Sequence, residues 1–195
     1  MKVPLAGVLQ LNMQVFLSTT FHGVSQTDLF EVLDIAAKVD VCGFELGSTH
    51  IYREDFLEKI STIKTSRFLT HNFFPPAPDP NLIINLASVD DDVRNASLEC
   101  VSNCLQFASQ IKAELYTVHP GFRSNALATG SGAGGNYDFN FSPDLAPHET
   151  CFENMLRSLE VLVKLANQLK IPLAIETEGS LTRPGFLLME QYEEY

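Results

Sequence analysis

Short apolar runs of strand length alternate with segments of helical period along the chain. QVFLSTT at 14–20 reads as a first strand, VCGFELG at 41–47 as a second, RFLTHNF at 67–73 as a third, ELYTVH at 114–119 as a fourth and PLAIETE at 172–178 as a fifth. Between them the period changes to that of an amphipathic helix. Residues 27–40 place Leu29, Val32, Leu33, Ala36 and Ala37 on one face, and residues 53–65 do the same with Phe56, Leu57, Ile60 and Ile63. A third helix opens near Ser88-Val89-Asp90-Asp91, which has the form of a capping box with Asp in place of Glu, and turns Val93, Val101, Cys104, Leu105, Ala108 and Ile111 inward. The cleanest period belongs to a fourth helix, with Phe152, Met155, Leu156, Leu159, Leu162, Val163, Ala166 and Leu169 in one stripe. Residues 184–195 read as the opening of a fifth.

Repeated strand–helix units imply parallel strands joined by right-handed crossovers, and the near-continuous apolar strands agree with burial on both faces. Two connections are longer than usual: 74–87, stiffened by FPPAPDP, and 120–147, which contains ATGSGAGGNYDFNFSPD. Both follow strand ends, where they are either covers for a substrate or variable surface loops. Gly130, Gly132 and Gly135 spell GxGxxG, but they lie well beyond the fourth strand and precede NYDFNF rather than a helix, so the dinucleotide reading is rejected.

The fold class expected is α/β, a (β/α) barrel that is incomplete, with five strand–helix units where a closed barrel has eight and about 250 residues. Residues 1–195 form a single domain on this reading, the N-terminal part of a (β/α)8 barrel; completion by another molecule and an open five-stranded sheet are the alternatives. Unpaired outer edges on the first and fifth strands would favour self-association.

Composition narrows the function. The chain is 45% hydrophobic and 19% charged, enough apolar material for a sizeable core. Its formal charge of −11 and scattered Lys and Arg disfavour extended binding to a phosphate backbone, so no nucleic-acid partner is expected. Cys42, Cys100, Cys104 and Cys151 form no CxxC pair. They fit reduced thiols and a cytoplasmic protein, with Cys100 and Cys104 on one helical face as small buried residues. Near the N-terminus Gln10, Asn12 and Gln14 interrupt the apolar run at every second position, which is a strand signature rather than a signal peptide. No apolar stretch is long enough to span a bilayer.

Candidate chemistry sits where the predicted strands end. His71 closes FLT, His119 closes LYTV and Glu176 follows LAI, while His22 and His50 stand past the ends of the first and second strands. The C-terminal strand ends of a (β/α) barrel meet at one mouth, so these distant residues would converge. Two imidazoles and a carboxylate make a donor set for a divalent ion of the zinc, manganese, magnesium or cobalt kind. Any one of these residues taken alone also fits a hydrogen-bonded structural role; the repetition at strand ends points to ligation. Glu45 either meets a substrate hydroxyl or holds a neighbouring barrel side chain. His50 and His22 either touch substrate or lie in exposed loops. Glu178 supports the loop after the fifth strand, and His148 is a surface residue at the start of the fourth helix.

VCGFELGSTH, FLTHNFFPP, LYTVHPGF and LAIETEGS resemble the second to fifth strand ends of the xylose-isomerase-like TIM barrel superfamily, which holds sugar and sugar-phosphate isomerases and epimerases, inosose dehydratases and apurinic-site endonucleases. The resemblance covers nearly the whole chain but only the family's N-terminal part. It implies that His71 and His119 face metal or substrate, as the matching histidines bind one zinc in the endonuclease branch. It also implies that Glu176 is a metal ligand and catalytic carboxylate. The activity implied is a metal-dependent isomerase or epimerase acting on a small carbohydrate, with proton transfer through a metal-stabilised enediolate. A zinc-dependent apurinic-site endonuclease and a non-catalytic truncated barrel are the alternatives. In the sugar branch the other metal ligands come from strands six to eight, and those residues are not in this chain.

Overall fold

A computed structural model describes residues 14–22, 28–47, 50–77, 82–131, 137–141 and 144–176. Among them five strands form one parallel sheet in the order β1 (Leu17–Ser18), β2 (Gly43–Leu46), β3 (Arg67–His71), β4 (Tyr116–Val118) and β7 (Leu173–Ile175). Neighbouring strands follow chain order, as right-handed βα repeats require. The helices between them are α1 (Leu29–Ala37), α2 (Phe56–Thr62), α3 (Asp91–Gln110) and α4 (His148–Leu169). This is the parallel, TIM-barrel-like arrangement expected from the sequence, with five strands.

The two faces of the sheet differ. Phe44, Leu46, Phe68, Tyr116 and Val118 are buried in one core with Leu29 and Leu33 of α1, Phe56 and Ile60 of α2, Val101 and Leu105 of α3, and Met155, Leu159 and Leu162 of α4. Alternate residues point the other way. Glu45, Leu69, His71, Thr117, His119 and Ala174 are half-buried on that second face, which is the inside of the barrel wall.

Helix starts and stops are set by local chemistry. Asp90 caps α3, its carboxylate accepting the N–H groups of Asp92 and Val93 at 2.9 and 3.3 Å. Ser88, read from sequence as the start of the capping box, instead accepts the N–H of Asp90 at 3.0 Å. Replacing Asp90 with alanine is expected to cost about 1 kcal/mol, the usual value of an N-cap, measured by urea denaturation. The second helix is shorter than predicted because Arg53 is occupied elsewhere. Its guanidinium bonds Asp28, which caps α1, at 2.7 Å and Asp55 at 2.8 Å, so the helix starts at Phe56. That bond, with help from Lys59, holds the Asp55 carboxyl below the usual carboxylate range. α4 ends on Lys170 in the left-handed conformation, a common helix stop.

Several predicted details are corrected. Thr19 and Thr20 belong to a 3-10 turn, Thr19–His22, rather than to the first strand. Ala37 is exposed at the end of α1. On α4, Leu156 and Val163 are each 46% exposed, and the inward stripe runs through Cys151, Asn154, Met155, Ser158, Leu159, Leu162 and Ala166. The helix is rotated by its polar contacts: Asn154 Nδ2 donates to Ser88 O at 3.0 Å and Ser158 Oγ to Leu86 O at 2.8 Å. The connection after β4 is not irregular throughout, since β5 (Ala126–Ser131) and β6 (Tyr137–Phe141) form an antiparallel hairpin. Residues 184–195, Gly132 and Gly135 lie outside the described residues.

Candidate metal centre

Strand register determines which side chains meet. His71 is the last residue of β3 and pairs directly with Thr117 of β4. Thr117 pairs in turn with Ala174 of β7. Two residues further along each strand on the same face come His119 and Glu176, so three donors from three strands gather at the C-terminal rim. His71 Nε2 lies 3.3 Å from His119 Nε2, with the two rings edge-on at 87°. His71 Nδ1 lies 3.1 Å from Glu176 Oε2 and 2.7 Å from Thr117 Oγ1. One donor atom from each of His71, His119 and Glu176 can be chosen so that all lie within 4.8 Å of one another.

The rim is braced from behind. Asn72 follows His71 with φ of 43°, a left-handed conformation that Asn tolerates better than most residues. Its N–H bonds Thr117 O at 2.8 Å, its side-chain oxygen accepts the N–H of His119 at 3.4 Å, and its carbonyl accepts the Tyr116 hydroxyl at 2.6 Å. Burial pushes the Tyr116 phenol well above its ordinary pKa, so it stays a neutral donor. Glu176 is tied in through its N–H, which donates to Val118 O at 3.0 Å. Below His119, Asn85 is buried and its Oδ1 accepts the N–H groups of Ala87 and Phe122 at 3.2 and 2.9 Å. Asn85 Nδ2 donates to Asn125 Oδ1 at 2.9 Å, joining the two long connections.

The remaining candidates fall elsewhere. Glu45 lies on the barrel face of β2 and is half-buried, but it is not among the three clustered donors. His50 is 5% exposed, so it is not an exposed loop residue; its Nε2 is 2.8 Å from Thr19 Oγ1 and its ring meets the edge of Phe74. The same Thr19 hydroxyl accepts the N–H of Gly47, so His50 helps lock β2 to the turn after β1. His22 closes that turn, and its side chain lies outside the described residues. His148 opens α4 and stacks on Phe152. Thr117, Asn72 and Tyr116 were not singled out from sequence. Thr117 had a signal, since it stands two residues before His119 in a strand and must share its face.

The donor spacing suits a small divalent ion. Two nitrogens bound tetrahedrally at about 2.0–2.1 Å are separated by about 3.3–3.4 Å, and the two Nε2 atoms stand 3.3 Å apart. Imidazole with carboxylate is a borderline donor set that zinc-like ions accept. Glu176, with a side chain 47% exposed, keeps one side of the cluster open to solvent.

Fold and site together define a (β/α) barrel protein with a polar cluster at the C-terminal rim of its strands, where barrel enzymes carry their chemistry. The family described as the xylose isomerase-like TIM barrel matches residues 29–194, and the chain belongs to that family. No curated protein matches the chain. Among solved structures, a D-tagatose 3-epimerase-like protein has a TM-score of 0.63 at 18% identity, with 87% of this chain and 55% of that one covered. D-psicose 3-epimerase from Clostridium cellulolyticum, solved with D-tagatose, has a TM-score of 0.64 at 11% identity, with 88% and 55% covered. A protein from Thermus thermophilus, soaked with zinc chloride, has a TM-score of 0.53 at 15% identity, with 85% and 56% covered. At these identities the likeness is one of fold, and the chain spans about half the length of the structures it matches.

Proposed function

We propose that the protein is a metal-dependent isomerase or epimerase of a small sugar or sugar phosphate. The supporting observation is the convergence of His71, His119 and Glu176 at one strand-end rim. These three would hold the ion, which supplies a Lewis acid that polarises a substrate carbonyl. Glu176 is the catalytic carboxylate. Its side chain is open to solvent on one side, so it can reach the carbon beside the carbonyl and take a proton from it. In an isomerisation the same carboxylate can return that proton to the neighbouring carbon. Epimerisation needs a second acid/base group on the opposite face of the substrate. Glu45, on the barrel face of β2, is assigned to a substrate hydroxyl and His22 to substrate as well, while buried His50 serves that site through its bond to Thr19 rather than by touching substrate.

In this proposal residues 1–195 act as one domain, the partner is a small carbohydrate, and the protein is cytoplasmic. No helix among the described residues is long and apolar enough to cross a membrane, and all four cysteines are free. The outer edges of β1 and β7 would serve any self-association. The test is a screen of ketoses, aldoses and their phosphates with metal analysis alongside. Turnover is expected to vanish on chelation, return on adding zinc, manganese or cobalt, and fall at least about a hundredfold in Glu176→Gln, a typical share for one acid/base group. Turnover indifferent to both would refute the proposal.

The paired imidazoles also favour a second reading, a zinc-dependent nuclease for abasic DNA. The charge of −11 weighs against it, because phosphate neutralisation supplies much of DNA affinity. Salt-dependent binding to an abasic duplex would reverse the order of the two.

A further inference from the structure

The two ring nitrogens of His71 face different surroundings. Nε2 looks toward His119 Nε2 at 3.3 Å. Nδ1 meets Thr117 Oγ1 at 2.7 Å and Glu176 Oε2 at 3.1 Å. An ionised carboxylate only accepts hydrogen bonds, so its contact calls for a hydrogen on Nδ1, and a hydroxyl oxygen can accept from the same N–H. A neutral imidazole with its hydrogen on Nδ1 carries its lone pair on Nε2, the nitrogen turned toward the shared cluster.

Thr117 and Glu176 are not equivalent holders. Thr117 is the direct cross-strand partner of His71, so sheet register fixes the distance between them. Glu176 lies one residue past the end of β7, its side chain is 47% exposed, and its contact is the longer one. It is also one of the three proposed ion holders, and since the two ring nitrogens point away from each other, it has to leave Nδ1 to reach an ion at Nε2, whereas Thr117 can stay. A ligating histidine whose second nitrogen is held by a hydrogen-bond partner keeps both its tautomer and its ring orientation.

We infer that Thr117 is a positioning residue: its hydroxyl holds His71 in the Nδ1–H form and aims Nε2 at the ion shared with His119. The inference rests on the proposed ion site, but its first readout does not need the ion. Thr117→Val keeps the size and β-branched shape suited to a strand while removing the hydroxyl, and Thr117→Ser keeps the hydroxyl.

The ring nitrogens of His71 are followed by 15N NMR in metal-free protein, with the signals assigned by His71→Gln. Zinc affinity of each form is then measured by competition with a chromophoric chelator. The native protein and Thr117→Ser are expected to show mostly the Nδ1–H form. Thr117→Val is expected to lose part of that population and to bind zinc roughly 10- to 100-fold more weakly, the usual effect of losing a partner behind a ligand. An unchanged Nδ1–H fraction in Thr117→Val overturns the inference, whatever the affinity. If no form binds zinc while the tautomer still shifts, the ion site falls and the hold of Thr117 on His71 stands.

Discussion

Replacing His119 with alanine is expected to lower zinc affinity by more than about a hundredfold. Loss of a partner behind a ligand costs about 10- to 100-fold, and loss of a ligand exceeds it. His119 contributes Nε2 at 3.3 Å from the matching atom of His71, and no other described His, Cys, Asp or Glu joins these two and Glu176 within ligating distance. His71→Ala should do the same. The double change should add less than the sum, because either single change already leaves only two donors of the cluster. His148→Ala, which alters a histidine at the start of α4, should bind as the native protein does. Isothermal titration with zinc and manganese decides the matter. Equal affinity in native protein and His119→Ala would contradict the shared-ion reading.

Gly121→Ala is expected to destabilise the fold by about 3 kcal/mol or more and to weaken zinc binding with it. Gly121 has φ of 114°, a conformation rare for residues with a side chain. A Cβ there would stand 2.4 Å from Asn85 Oδ1 and 3.0 Å from the backbone nitrogens of Leu86 and Ala87. Two of those three atoms are backbone, so the contact cannot be relieved by turning one flexible side chain. Moving Asn85 would break its bonds from Ala87 and Phe122 inside a buried network. Backbone strain costs about 1–3 kcal/mol and each buried group left without its bond about 1–3 kcal/mol, hence the total. Gly121 lies two residues from His119, so the displacement reaches the rim. Urea denaturation measures the first effect and zinc titration the second; an unchanged denaturation midpoint would show that the loop absorbs the Cβ.

The alternation of strand and helix periods made the parallel sheet legible in the sequence, because repeated βα units imply parallel strands. The three clustered residues were legible from their positions: His71, His119 and Glu176 each terminate an apolar run, and barrel geometry brings strand ends together. Period was less informative where polar contacts set a helix's rotation. Asn154 and Ser158 turn α4 toward the 86–88 backbone, leaving Leu156 and Val163 outside, and nothing in the apolar spacing announces those partners. The 3-10 turn at Thr19–His22 hid behind β-branched residues that favour a strand. The hairpin of β5 and β6 hid in a glycine-rich stretch whose composition suggests a loop. His50 reads as a loop residue because its partner, the Thr19 hydroxyl, lies 31 positions away. The brace through Asn72 and Tyr116 depends likewise on contacts between strands rather than along one.

Anomalous diffraction from crystals soaked in zinc chloride tests the central claim most directly. A single strong peak is expected within bonding distance of the Nε2 atoms of His71 and His119 and of a carboxylate oxygen of Glu176. Zinc bound elsewhere, with those three side chains turned away from one another, would contradict it.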